Sequence, residues 1–91
     1  MSHISKNKKQ LLTRIRRIKG QSEAMEKALN DDVDCAAIMQ QVASIRGAVN
    51  GLMTEVLEEH IREHLGVPDI EPNKRQEDIE QVVAAIRSYL K

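Results

Sequence analysis

Apolar residues Ile4, Leu11, Ile15, Ile18, Met25 and Leu29 recur at spacings of three, four or seven. That period predicts one stripe of an amphipathic helix. Ser22 falls in the stripe as a polar gap, and Lys6, Lys9, Arg14, Arg16 and Arg17 point away from it. Gly20 weakens this helix by about 1 kcal/mol relative to alanine. Asn30-Asp31-Asp32-Val33-Asp34 then breaks the pattern with residues that favour helix N-caps. A proline-free run follows from Cys35 to Leu65. In it Ile38, Val42, Ile45, Val49, Leu52 and Val56 alternate steps of four and three, a coiled-coil-like seam. Gly66, Pro68 and Pro72 end the run, with Gly66 as the expected C-cap. Asn73 and Gln76 have capping-box spacing. They precede a third amphipathic stripe of Ile79, Val82, Val83, Ile86 and Leu90. No strand pattern or internal repeat interrupts this order. The expectation is an all-α, three-helix protomer with a long central helix, forming a single domain over residues 1–91.

The central helix is too long for a lone chain. At 1.5 Å per residue its run from Cys35 to Leu65 spans about 46 Å. A compact domain of this size has a radius of gyration of about 12 Å. Its seam therefore calls for cover from another chain, and an obligate oligomer is expected. Gly47, Ala48 and Gly51 lie near the midpoint, where small residues let two helices cross closely.

Composition narrows the partners. Of 91 residues only one is aromatic, so base-stacking on aromatic platforms is nearly excluded. The core must be aliphatic. No apolar run approaches the ~20 residues of a membrane span, and the first residues lack the apolar segment of a secretory signal. The single cysteine excludes an internal disulfide framework. A cytoplasmic protein is expected. The formal net charge of zero hides an asymmetry. Residues 1–29 carry eight basic and two acidic side chains, and residues 30–91 carry six and twelve. Every charge up to Gly20 is positive. Such a one-ended field suits a polyanion, with nucleic acid foremost.

Four side chains carry candidate chemistry: His3, Cys35, His60 and His64. His60 and His64 are four apart and share a helical face. Cys35 opens the same helix. Imidazole and thiolate donors suit Zn, Ni, Co or Cu. Cys35 and His60 lie about 38 Å apart along the helix and cannot share a metal within one chain. In an antiparallel pair crossing near residues 48–49, Cys35 of one chain falls opposite the His60–His64 turn of the other. Two-fold symmetry would create two equivalent sites. His60-Ile61-Arg62-Glu63-His64 also fits the H-x-x-E-H protease pattern. A chain this small cannot surround a substrate cleft, so no enzyme and no small-molecule substrate is expected.

Two stretches are distinctive: 12–21, Leu-Thr-Arg-Ile-Arg-Arg-Ile-Lys-Gly-Gln, and 35–53, Cys-Ala-Ala-Ile-Met-Gln-Gln-Val-Ala-Ser-Ile-Arg-Gly-Ala-Val-Asn-Gly-Leu-Met. With the closing Ser88-Tyr89-Leu90-Lys91, they resemble the CsoR/RcnR family of small helical bacterial repressors. The resemblance implies an antiparallel dimer assembled into a tetramer, a dimer of dimers, with no helix-turn-helix. It implies double-stranded operator DNA held by the first helices. Arg14 and Arg17 match the family's DNA-contacting positions; Lys8, Lys9, Arg16 and Lys19 join them on charge. Family members release DNA when an effector binds, switching on an efflux or detoxification operon. Copper(I) sensors resemble Cys-His-Cys, whereas His64 stands here at the last position. RcnR-type sensors resemble His-Cys-His-His, and His3, Cys35, His60 and His64 match all four. The implied effector is Ni(II) or Co(II), with Zn(II) an in-vitro substitute, and the Ser2 amine can complete the ligand set. Persulfide sensors need two cysteines. FrmR-type formaldehyde sensors are the alternative: they join Cys35 to the N-terminal amine but resemble a chain with proline after the initiator methionine and without the last histidine.

Overall fold

The computed structural model describes residues 7–90. Its elements are α1 (Lys8–Asn30), α2 (Cys35–His64) and α3 (Pro72–Tyr89), with no strand among the described residues. The all-α, three-helix expectation stands. Ile4, and with it the first step of the α1 stripe, lies outside the described residues.

Two compact units divide the chain within α2, one over Asn7–Glu55 and one from Val56 onward. In the first, α1 and the N-terminal part of α2 pair across a short link. Arg14 bonds Glu55, and Gln21 Nε2 donates to Ser44 Oγ at 2.7 Å. Partner numbers fall along α2 as they rise along α1, so the two segments run antiparallel. The link is closed by the chemistry of its aspartates. Asp32 has φ of 55°, the only positive φ at a non-glycine residue among those described. The Asp32 N–H bonds Leu29 O and the Val33 N–H bonds Ala28 O. This is a Schellman end with aspartate in the left-handed position that glycine usually takes. Asp34 Oδ1 then accepts from the Ala37 N–H at 2.9 Å, an N-cap that opens α2 as the sequence predicts.

In the second unit, α2 ends and α3 begins by means other than those expected. Gly66 adopts no positive φ; its N–H instead bonds Ile61 O at 3.0 Å. The orphan carbonyls beyond α2 are caught from α3: Arg75 donates from Nη1 to Leu65 O at 2.9 Å and from Nη2 to Val67 O at 3.1 Å. The N-cap of α3 is Glu71, whose carboxylate accepts from the Asn73 and Lys74 N–H groups, with Pro72 in the first turn. The Asn73–Gln76 box does not form. Proline one residue earlier starts the helix, because its fixed φ suits the first turn.

Among the described residues few apolar side chains are buried: Leu11, Ala28 and Val82. Leu29, expected in the α1 stripe, is 60% exposed, and Ala28 takes the buried position beside it. No residue of the α2 seam is fully buried, and Val42 and Val49 are exposed.

Candidate metal centre and basic face

Capping by Asp34 places Cys35 in the first turn of α2, with its free thiol exposed. The last turns of the same helix carry the two histidines. Their four-residue spacing stacks the rings, with centroids 4.4 Å apart and planes inclined by 23°. His64 Nδ1 lies 3.3 Å from Asp78 Oδ2 on α3. Lys74 Nζ lies 3.6 Å from the other oxygen of that carboxylate. Asp78 is 1% exposed. A carboxylate so buried requires compensating charge or hydrogen bonds, and His64 and Lys74 approach its two oxygens from different helices.

The donors are chemically apt for a borderline transition metal, two imidazoles side by side and one accessible thiol. Among the described residues, however, no group of three or more His, Cys, Asp or Glu side chains gathers in one chain. The helix that joins Cys35 to His60 also keeps them 25 residues apart. A full ligand set needs donors from elsewhere. His3 and Ser2 lie outside the described residues.

The basic residues divide into two groups. Lys8, Lys9, Arg16, Arg17 and Lys19 are exposed on α1. Arg14 is half-buried, and its Nε donates to Glu55 Oε2 at 2.7 Å. Its guanidinium occupies space left by a glycine: a Cβ on Gly51 would lie 2.6 Å from Arg14 Nη1. The missing side chain of Gly51 thus serves a contact within the chain. Gly47, by contrast, has no atom beyond its own stretch of helix backbone within 4 Å of where its Cβ would be.

Sequence reasoning does not single out Asp78, Glu55, Glu59 or Arg75. Two of them do leave a signal in the pattern. Continuing the α2 seam three residues beyond Val56 lands on Glu59, which is 6% exposed. Asp78 precedes buried Val82 by one helical turn and so shares its stripe. An acidic residue on an apolar stripe marks a buried charge that needs a partner. Glu55 and Arg75 leave none, since their partners depend on how helices pair.

Comparison with known proteins agrees with this architecture. The family described as metal-sensitive transcriptional repressor matches residues 7–88. An uncharacterised protein in the bioA 5′ region of Serratia marcescens is 55% identical over the whole of both chains. The transcriptional repressor RcnR of Citrobacter koseri is 44% identical, again over the whole of both. Among solved structures, a Glu-to-His variant of the formaldehyde-responsive regulator FrmR from Salmonella enterica serovar Typhimurium is 44% identical. It superposes with a TM-score of 0.85 over 92% of this chain and 94% of that one. A full-length match in sequence, joined to the same three-helix fold, leaves one assignment: the chain belongs to the family of metal-sensitive transcriptional repressors, which regulate transcription and are not enzymes.

Proposed function

We propose that this chain is a cytoplasmic, homotetrameric repressor that binds double-stranded operator DNA and releases it on binding Ni(II) or Co(II), derepressing a metal efflux operon. All 91 residues act as one DNA-binding and effector-sensing domain. The observation that carries this reading is the stacked His60–His64 pair at one end of α2, with the exposed Cys35 at the other. In an antiparallel dimer each chain would supply the thiol to one site and the two imidazoles to the other. His3 and the Ser2 amine would complete the shell, and Zn(II) would fit the same donors in vitro. The exposed seam of α2 supports the assembly: Val42 and Val49, with Met39 beside the seam, present apolar surface that a second chain would cover. The basic α1 supports the partner. Arg14, Arg17, Lys8, Lys9, Arg16 and Lys19 would meet phosphate, which gives salt-dependent affinity. No described helix is long and apolar enough to cross a membrane. Release of DNA requires only that the effector bind two arrangements unequally, and a coupling of about 1–3 kcal/mol is typical.

An anaerobic Co(II) titration of reduced protein tests the reading. A saturable thiolate-to-cobalt absorption band, near one metal per chain and absent in Cys35→Ala, is expected. A second reading rests on the FrmR relative and on the accessible thiol of Cys35: formaldehyde would bridge that thiol and the N-terminal amine. Absence of the cobalt band, with operator binding relieved by formaldehyde, would select it.

A further inference from the structure

Asp78 is the most deeply buried side chain among the described residues, and it is a carboxyl group. Three observations bear on why. Its Oδ2 faces His64 Nδ1 at 3.3 Å. Its Oδ1 faces Lys74 Nζ at 3.6 Å, one helical turn away on α3. His60 stacks on the face of the His64 ring. The Lys74 pair alone does not account for the burial, because it engages only one oxygen and Lys74 itself is exposed. The second oxygen is spent on the imidazole.

An ionised carboxylate has no proton to give. Its approach to Nδ1 is attractive only if Nδ1 carries the hydrogen, since two lone pairs would otherwise repel. In the neutral ring the other nitrogen, Nε2, then keeps its lone pair. We infer that Asp78 is the positioning residue of the effector site: it holds the proton of His64 on Nδ1, so that Nε2 is the nitrogen presented to a divalent metal. His60 stacks on the same ring, and Lys74 lies within ion-pair distance of the other carboxylate oxygen. The ring is therefore constrained at one edge and one face before any effector arrives. A carboxylate behind a ligating imidazole also raises the basicity of the donor nitrogen, and loss of such a group typically lowers metal affinity about 10–100-fold. The inference rests on the reading of His64 as a metal ligand given above.

The test uses the full-length protein in its native assembly, labelled with 15N-histidine. Long-range 1H–15N spectra of the metal-free protein report which ring nitrogen of His64 carries the proton, and they need no variant. Nδ1–H is expected in the wild type. In Asp78→Asn the amide can either donate or accept, so the preference should be lost, with helix content checked by circular dichroism. Co(II) affinity of that variant should fall about 10–100-fold. Rescue is expected in neither Asp78→Ala nor Asp78→Leu, which carry no acceptor. A wild type with the proton on Nε2 overturns the inference. So does an Asp78→Asn protein whose Co(II) affinity matches a wild type that binds normally. A wild type that binds no Co(II) at all overturns the metal reading itself, and this inference with it.

Discussion

Asp32 carries the sharpest demand made on any single residue. Its φ of 55° puts a side chain in the left-handed region, where an L-residue meets its own carbonyl oxygen. Aspartate tolerates this better than most, because its short side chain can bond locally. Glycine needs no such compensation. Asp32→Gly should therefore stabilise the fold by about 0.5 kcal/mol, after the larger entropy glycine loses on folding is offset. Asp32→Val should cost more than about 1 kcal/mol. Urea unfolding of the three proteins checks the order. A contrasting demand falls on Arg75, whose two terminal nitrogens reach two different carbonyls past the end of α2. Only a planar fork can do this. Arg75→Ala should destabilise by about 1–3 kcal/mol, and Arg75→Lys should recover little of the loss, since an ammonium cannot span both oxygens. The run of aspartates announces a helix break without any structure. Nothing near Arg75 announces its role, because its partners come from the segment before α3 and their position is a tertiary matter.

At the scale of elements, α2 is the informative one. Its apolar seam is legible as a pattern of fours and threes, and its start at Cys35 and its end after His64 fall where the polar breaks predict. The seam is not consumed within the chain. The two helix-interior glycines with open space around them test what covers it. Gly20 on α1 and Gly47 on α2 each have no atom beyond their own stretch of helix backbone within 4 Å of where a methyl group would sit. Helix propensity alone makes Gly→Ala worth about 0.5–1 kcal/mol at either site. Gly20→Ala should show that gain. If chains cross at Gly47, Gly47→Ala should instead lower stability and weaken assembly, as read by thermal unfolding and analytical ultracentrifugation. Equal gains at both positions would exclude a close crossing there. The sequence groups Gly51 with Gly47, but the space beside Gly51 belongs to Arg14. A composition of small residues says that something approaches; it does not say what.

For the molecule as a whole, the question is how a chain of zero net charge would hold a polyanion. The answer is segregation: the positive charge is concentrated on α1, where five of the six named cations are exposed. Arg14 differs from them, being held by Glu55. Arg17→Ala should weaken operator binding. It should also lower the slope of log affinity against log salt by about one for each phosphate the assembly no longer neutralises. Arg14→Ala should do the same, and it should cost up to about 1 kcal/mol of stability through the Glu55 pair. Neither variant should alter Co(II) affinity. An unchanged salt slope in both would remove α1 from the DNA interface.

The sequence by itself determined what depends on near neighbours along the chain. Three helices, their polar breaks, the pairing of His60 with His64 on one face and the basic character of α1 all follow from spacings of three, four and seven residues, which a helix turns directly into faces. Only the tertiary structure decided what depends on register between helices. The bond from Arg14 to Glu55 joins residues 41 positions apart, and the approach of Asp78 to His64 joins α3 to α2. No local period encodes such pairs. They arise when packing brings two faces together and leaves a charge with no water to solvate it, so that the burial of Asp78 and its hold on His64 are properties of the folded chain alone.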